Sequence, residues 1–167
     1  MIIMEKSGNI LAGGEKRFAF AVNSQGVNDS GFAGVVSRNF WPELACIGET
    51  ELGTVLTKEV DGVEYFALCC HSLEKDGWAN QEEIIKKCFD AIPGDDPVAS
   101  IAIGTGLIGV LSGADFEFIR AGMEASKANI ILYCWQTERQ KMWQLSKTEK
   151  RKCQGKDFSW HFCFIYK

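Results

Sequence analysis

The chain of 167 residues has no excess of positive charge and no apolar run of membrane-spanning length. Its formal net charge of −4 argues against a nonspecific nucleic-acid binder, although basic residues gather at 147–152. The apolar start at 1–4 is short and is followed at once by charge, so it does not resemble a signal peptide. We therefore expect a cytoplasmic protein with no membrane partner.

Metal-ligand spacing is also lacking. The seven cysteines are scattered, and none forms a Cys-x-x-Cys pair. Cys69-Cys70-His71 is the one grouping that suggests zinc, but no second pair of ligands with a usual spacing accompanies it. Several cysteines lie in apolar, strand-like runs, where free cysteine behaves as a small hydrophobe. We expect reduced thiols, no metal and no cofactor.

The sequence contains no internal repeat, no low-complexity tract and no long linker, which predicts one domain over 1–167. Its core would cover about 1–135. A C-terminal extension of about 136–167 combines a polar, helix-prone stretch at 137–152 with an aromatic strand at 158–166. Because its aromatic side chains are too numerous to leave in water, we expect them to cover the sheet or a partner subunit.

Strand and helix patterns alternate along the core, which is typical of an α/β fold. Extended runs are predicted at 1–5, 18–22, 53–59, 63–70, 99–103 and 129–135. Asp61-Gly62 predicts a tight hairpin turn between the third and fourth of them. Helices are predicted over about 32–40, over a stretch from Asn80 that ends before Pro93, and over 112–126. Asn80 and Glu83 have the spacing of a capping box, and Ser112 with Asp115 resembles one.

Two loops of this predicted sheet are suited to an anion. A buried strand at 99–103 runs into the second loop (residues 103–109), whose glycines can take positive φ and let a ligand approach the backbone amides. The first loop (residues 23–34) follows another buried strand and also leads into a helix. In an open α/β sheet both loops would lie at the same edge. The pattern predicts an anion cradle, although glycine-rich turns also occur for packing reasons alone.

Three segments, in order, resemble motifs of the macro domain, an ADP-ribose-binding module. Gly8-Asn9-Ile10-Leu11 resembles the segment after that family's first strand. Residues 21–26 with Ser30-Gly31-Phe32-Ala33 resemble its first ligand loop, and residues 103–109 resemble its diphosphate loop. The second loop is most similar to the branch containing terminal ADP-ribose-protein glycohydrolases and ADP-ribose-1″-phosphate phosphatases. The resemblance covers about 7–133 and implies a three-layer α/β/α fold with a mixed central sheet.

The resemblance implies that the ligand is ADP-ribose or a related NAD-derived nucleotide, free or attached to a protein or nucleic acid. It assigns the adenine contact to Asn9, where aspartate is more usual, with Ile10 beside it. Asn23 would orient the ribose or simply tie its own loop together. The other implied contacts with the diphosphate and distal ribose are Ser30, Gly31, Phe32, Ala33, Gly104, Thr105, Gly106, Leu107 and Ile108.

The catalytic residues of that branch are not matched. It pairs a lysine after the second hairpin strand with an aspartate in the diphosphate loop, where this chain has Cys69-Cys70-His71 and Ile108. The remaining candidates are His71 as a base and Asp29 as a residue that positions water. A strand-end histidine is also a common hydrogen-bonded surface residue, and Asp29 also suits a turn.

Three functions are therefore open from the sequence. The chain is a binding module, a hydrolase that removes ADP-ribosyl groups or the 1″-phosphate, or a macro-like scaffold that has lost its pocket and serves a partner. Its small size suits a bacterial or phage protein.

Overall fold

A computed structural model of the protein describes residues 1–74, 76–106, 109 and 112–134. Its strands are β1 (Ile2–Ser7), β2 (Arg17–Asn23), β3 (Val55–Val60), β4 (Val63–His71), β5 (Val98–Ile101) and β6 (Ile130–Cys134). They form one sheet in the order β1-β6-β5-β2-β4-β3. All neighbouring strands are parallel except β3 and β4, which are antiparallel. The central sheet is therefore mixed, as predicted.

Helices cover both faces of this sheet. The described α-helices are α1 (Gly31–Asn39), α2 (Gln81–Asp90) and α3 (Phe116–Ala125), and short 3-10 helices lie at Ile10–Ala12 and Pro42–Ala45. Side chains of α2 and α3 pack in one core with alternate residues of β2 and β4. The intervening residues of the same two strands face the other side of the sheet, where they pack in a second core with α1. This arrangement confirms the predicted three-layer α/β/α fold.

The turn chemistry of the hairpin is as predicted, whereas the capping of one helix and the start of another are not. Asp61 and Gly62 have φ values of 50° and 74°, and a two-residue hairpin turn needs positive φ at both positions. Asn80 lies at the predicted N-cap position of α2, but the residue is left-handed and its side chain makes no capping hydrogen bond. The predicted helix start at Ser112 is wrong. The helix begins at Phe116, where the Asp115 side chain accepts a hydrogen bond from the Glu117 N–H.

The strand order places the two loops together. β2 and β5 are neighbours and parallel, with Phe18 opposite Ala99, so the segments that follow them leave the same edge of the sheet. β1, β6 and β4 run in the same direction, which brings the segments after β1 and β4 to that edge too. The predicted placement of the first and second loops is thus confirmed.

Some expectations concern other parts of the chain. The predicted C-terminal helix and strand at 136–167 lie outside the described residues. The five cysteines that are described are free thiols, and three of them, Cys69, Cys70 and Cys88, are buried. None of the helices in the described ranges combines the length and apolarity needed to span a bilayer.

Candidate functional site

The first loop is closed by two buried asparagines. The Asn23 side chain accepts a hydrogen bond from the Val27 N–H at 3.1 Å and donates to the Val27 carbonyl. Asn28 Oδ1 accepts from the Asn23 N–H and from Asn23 Nδ2, both at 3.2 Å, while Asn28 Nδ2 donates to the Leu44 carbonyl at 3.3 Å. Both polar ends of the Asn23 side chain are therefore used inside the loop. This supports the loop-tying interpretation, and the ribose contact stays a prediction.

The first loop ends in an open helix start. The first bond of α1 runs from the Gly34 N–H to the Ser30 carbonyl at 2.8 Å, so the N–H groups of Gly31, Phe32 and Ala33 precede the helical bonds. The Ser30 side chain makes no capping hydrogen bond. Gly31 has a φ of 59°, and, its own chain neighbours and helix backbone aside, no atom of residues 1–74, 76–106, 109 and 112–134 lies within 4 Å of the position that a Cβ would take there. These N–H groups and the helix dipole favour an anion at this point.

Asp29 lies immediately before this helix start and is exposed. Its backbone carbonyl accepts a hydrogen bond from Arg38 Nη1 at 2.9 Å. The same carbonyl oxygen lies 2.4 Å from the position of a Cβ on Gly34, so the chain passes close to α1 here. The main chain of Asp29 is thus fixed while its side chain faces solvent.

The second loop folds tightly because two of its glycines have no room for a side chain. At Gly104, with a φ of 76°, a Cβ would lie 2.7 Å from Ile119 Cδ1 and 2.8 Å from Ala114 Cβ. A Cβ on Gly109 would lie 2.4 Å from the Gly104 carbonyl oxygen. Gly106, by contrast, is exposed, and apart from its chain neighbours no atom in the described part of the chain lies within 4 Å of that position.

Thr105 fixes the start of the second loop. Its hydroxyl donates to the Ala102 carbonyl at 2.6 Å, which holds the chain as it leaves β5. Leu107 and Ile108, the other two predicted contacts of this loop, lie outside the described residues.

The second loop is supported by residues from the start of α2. Trp78 is 4% exposed, and its indole N–H donates to Ser112 Oγ at 2.9 Å. Ser112 Oγ in turn donates to the Gly109 carbonyl at 3.2 Å. Gln81 donates to the Gly113 carbonyl at 3.2 Å and accepts from the Asp115 N–H at 2.7 Å. Sequence reasoning missed Trp78 and Gln81 as loop supports, since they precede their partners by more than thirty residues and no local pattern links them.

His71 contacts the first loop directly and also contacts Trp78, which supports the second loop. Its carbonyl accepts a hydrogen bond from the Ser24 N–H at 2.8 Å, and its ring stacks on Trp78 with centroids 4.4 Å apart and planes 2° from parallel. Burial lowers the pKa of the His71 imidazole to about 4. The ring is therefore neutral at pH 7 and a weak base, which does not suit general-base catalysis near neutrality.

Asn9 follows β1 and reaches the same edge. It is exposed and caps the 3-10 helix at Ile10–Ala12, with Oδ1 accepting from the Leu11 N–H at 3.0 Å. Ile10 is 4% exposed and packs in the core. Of this predicted pair, Asn9 is exposed to solvent, whereas Ile10 is buried.

Across the edge, these groups form a row. Asn9 follows β1, the second loop follows β5, the first loop follows β2, and His71 ends β4. Neighbouring strands are about 4.8 Å apart, so three strand spacings from β1 to β2 span roughly 14 Å. The row is suited to an elongated ligand with an anionic centre near the two loops.

A second depression lies away from the two loops. A depression with a volume of about 530 Å³ lies on the α2–α3 layer, where its lining includes Trp78, Gln81, Lys86 and Phe118. It is on the sheet face opposite α1 and is not lined by the first loop. Within the described ranges, no three His, Cys, Asp or Glu side chains come together as metal ligands.

No protein-family model and no curated protein sequence matches this chain. Among solved structures it is similar to the macrodomain of Mycobacterium tuberculosis DarG, with a TM-score of 0.57 and 17% identity over 80% of this chain and 97% of that one. A mutant Oceanobacillus iheyensis macrodomain with ADPR gives a TM-score of 0.57 and 14% identity over 91% of this chain and 93% of that one.

A longer viral chain is also similar. An alphavirus P23pro-zbd gives a TM-score of 0.58 and 16% identity. The match covers 89% of this chain but only 24% of the viral chain. Identities this low are informative about the fold alone. The similarity to several macrodomains at these TM-scores agrees with the mixed sheet and the two helical layers described above. This protein therefore has the macrodomain fold.

Proposed function

We propose that this protein binds ADP-ribose or a closely related NAD-derived nucleotide, free or attached to a protein or nucleic acid. The observation that carries the proposal is the juxtaposition of two loops after the adjacent parallel strands β2 and β5. One loop ends in the open start of α1, and the other contains an exposed glycine at position 106. Main-chain amides from both sides would hold a diphosphate between them.

The charge of the chain is compatible with this mode of binding. A diphosphate is anionic, whereas the chain has a net charge of −4. Backbone N–H groups and a helix start bind phosphate oxygens without lysine or arginine. The first-turn amides of Gly31, Phe32 and Ala33 are the donors that the structure supports best, because they precede the first helical hydrogen bond.

The row of groups along the edge suggests how the nucleotide lies. With the diphosphate between the loops, Asn9 on the β1 side is roughly two strand spacings, about 10 Å, from β5 and would meet the base. The distal ribose would lie on the opposite side, toward Asp29 and the end of β4. A mutant of one macrodomain of similar fold has been solved with ADPR, which is consistent with this assignment.

Binding is favoured over hydrolysis by the environment of His71. A stacked imidazole whose pKa is lowered to about 4 by burial cannot take up a proton effectively near pH 7. The hydrolase alternative therefore depends on Asp29, which is exposed at the start of α1. Asp29 would position a water molecule against the distal ribose.

Titration of the full chain with ADP-ribose, followed by calorimetry and by the melting temperature, tests the proposal. A ligand at a hundred times its Kd stabilises the folded state by about 2.7 kcal/mol, so a clear rise in melting temperature is expected. Gly106→Val should weaken binding at least tenfold without changing the melting temperature of the free protein, since a Cβ there meets no atom of the described residues within 4 Å, chain neighbours aside. Thr57→Val, at an exposed position on β3, is the matched control and should bind normally. Absence of heat at millimolar ADP-ribose, with a folded protein, would favour the scaffold alternative.

Hydrolysis is tested separately with an ADP-ribosylated protein, ADP-ribosylated DNA and ADP-ribose-1″-phosphate as substrates. We expect no turnover. Turnover that Asp29→Asn abolishes while ADP-ribose affinity is retained would show that the protein is a hydrolase.

A further inference from the structure

Two residues that line the depression on the α2–α3 layer already have polar partners. The Trp78 indole N–H donates to Ser112 Oγ at 2.9 Å, and the Gln81 side chain donates to the Gly113 carbonyl and accepts from the Asp115 N–H. The polar groups of both side chains are thus directed at the second loop and its end. A ligand in the depression must therefore be held mainly by the other lining residues.

These other residues include two glutamates and an aromatic ring. Glu82 and Glu83 are exposed on α2, and in the described part of the chain neither carboxylate has a hydrogen bond or an ion pair. Lys86, one turn further along α2, is paired with Asp90 at 2.5 Å and does not neutralise them. Phe118 of α3 also lines the depression and is 50% exposed. The same depression thus offers unpaired carboxylates and an accessible ring.

The starts of α1 and α2 differ in charge. The first turn of α1 contains no acidic residue, whereas that of α2 contains Glu82 and Glu83. A helix start carries about half a positive charge, so two carboxylates reverse the sign of the potential there. An anion is therefore favoured at α1 and a cation at α2. Residues 1–134 contain 19 acidic and 10 basic side chains, which adds to the attraction for a cationic partner.

We propose that this depression is a docking site for an arginine side chain of a basic protein partner. A guanidinium group has five N–H donors in one plane, so it can bond to carboxylates while its face stacks on the ring of Phe118. The depression has a volume of about 530 Å³, which is enough for such a side chain. A second copy of this acidic chain would be repelled from the same surface.

The proposal does not depend on nucleotide binding. The depression is on the sheet face opposite α1 and is not lined by the first loop. ADP-ribose should therefore not displace a partner that is bound here, and absence of ADP-ribose binding would leave the docking site untouched.

Titration of the ¹⁵N-labelled full chain with a hexa-arginine peptide, followed by NMR and calorimetry, tests the proposal. At about 0.15 M salt, where long-range attraction is largely screened, the amide resonances of Glu82, Glu83 and Phe118 should shift. Replacing both carboxylates, by Glu82→Gln with Glu83→Gln, should weaken binding about tenfold. The matched control is Glu49→Gln with Glu51→Gln, which removes the same charge from exposed positions outside the depression and should change the affinity less than twofold.

The role of the ring is tested with a hexalysine peptide. The natural chain should bind hexa-arginine several-fold more tightly than hexalysine, because an ammonium group gains less from stacking. Phe118→Leu keeps an apolar wall without a ring face and should abolish this preference. Melting temperatures of the free variants show whether each remains folded.

Several results would overturn the proposal. One is absence of hexa-arginine binding to the folded natural chain, and another is an equal loss of affinity in the two double variants, which would show only general attraction to an acidic protein. Resonance shifts confined to other regions, or equal affinity for the two peptides, would also contradict it. Sedimentation of the chain without peptide is the last check, since a dimer that Phe118→Leu dissociates would mean that a second copy covers the depression.

Discussion

The first and second loops lie side by side at one sheet edge but are held in different ways. The first loop is closed from within, because Asn23 bonds to Val27 and Asn28 inside the same short segment. The second loop is held from outside, by Trp78 acting through Ser112 on the Gly109 carbonyl. The bonds that close the first loop are thus mainly local, with further contacts to Leu44 and His71, whereas the second loop depends more on how the segment before α2 packs.

His71 is where the two kinds of support meet. Its backbone carbonyl bonds to Ser24 of the first loop, and its ring stacks on Trp78, which supports the second. A change at His71 can therefore reach both loops. A change inside one loop, by contrast, should leave the other in place.

The largest effect is expected for Gly104→Ala in the second loop. The new Cβ would lie 2.7 Å from Ile119 Cδ1 at a residue whose φ is 76°. Left-handed strain of about 1–2 kcal/mol and overpacking of about 1–3 kcal/mol together should lower the free energy of unfolding by about 3 kcal/mol. Urea denaturation measures this loss.

Two other glycines are controls for that variant. Gly106→Ala meets no neighbour among the residues that the structure describes and should stay within about 0.5 kcal/mol of the natural chain. Gly31→Ala in the first loop has open space but a φ of 59°, so it should lose only about 1–2 kcal/mol. Equal losses for Gly104→Ala and Gly106→Ala would show that packing does not determine the shape of the second loop.

The next effect is expected for Asn23→Ala in the first loop. The part-buried N–H and carbonyl of Val27 would lose their partner, and the buried Asn28 Oδ1 would keep only the Asn23 N–H, which should cost roughly 2 kcal/mol. If the loops are independent, this loss should add to that of Gly104→Ala within about 0.5 kcal/mol. Denaturation of the two single variants and the double variant gives the coupling energy.

Asn28→Ala is the matched comparison for additivity. It shares its partner with Asn23, so the Asn23→Ala, Asn28→Ala pair should lose less than the two single losses together. A large coupling between Asn23 and Gly104 would contradict the division between the loops.

The difference between the loops also explains what the sequence could predict. Alternating buried strands and helices determine which ends of the strands share an edge, so the positions of both loops followed from the pattern alone. Asp61-Gly62 likewise predicts its turn, because that dipeptide tolerates positive φ at both positions. The loop-tying alternative for Asn23 was also within reach, since its partners are its close neighbours in sequence.

The residues that support the second loop could not be predicted, because they are distant from it in the sequence. Ser112 with Asp115 has capping-box spacing, yet the Ser112 hydroxyl accepts from Trp78, and Asp115 caps α3 instead. No local sequence pattern at Ser112 indicates a hydrogen bond with Trp78, which precedes it by 34 residues. The burial that lowers the pKa of His71 likewise arises from tertiary packing and has no local signature.

A pH-dependent stability is expected from His71. Burial lowers its folded-state pKa to about 4 from an ordinary value of 6.5, so the unfolded chain binds the proton more tightly. The contribution to stability is present above pH 6.5 and is lost as the pH falls from 6.5 toward 4. Between pH 7.5 and pH 5 this loss is about 2 kcal/mol. His71→Phe keeps an aromatic ring on Trp78 and should abolish this pH-dependent loss of stability. Urea denaturation at the two pH values measures it.

His161→Gln is the control for this pH effect, because His161 is the other histidine of the chain. That variant should retain the loss of stability between pH 7.5 and pH 5. If His71→Phe loses as much stability over this range as the natural chain does, His71 is not held neutral by burial.

The smallest effect on stability, but a selective one on binding, is expected for Trp78→Phe. The ring contact with His71 is kept, while the indole N–H that bonds to Ser112 is lost, at about 1 kcal/mol. Trp41→Phe is the matched control, since it removes a buried indole from the opposite core. With a loosened second loop, Trp78→Phe should weaken ADP-ribose binding several-fold in calorimetry, whereas Trp41→Phe should leave the affinity unchanged. Equal affinities in both variants would mean that the second loop keeps its shape without support from outside, and the contrast with the first loop would disappear.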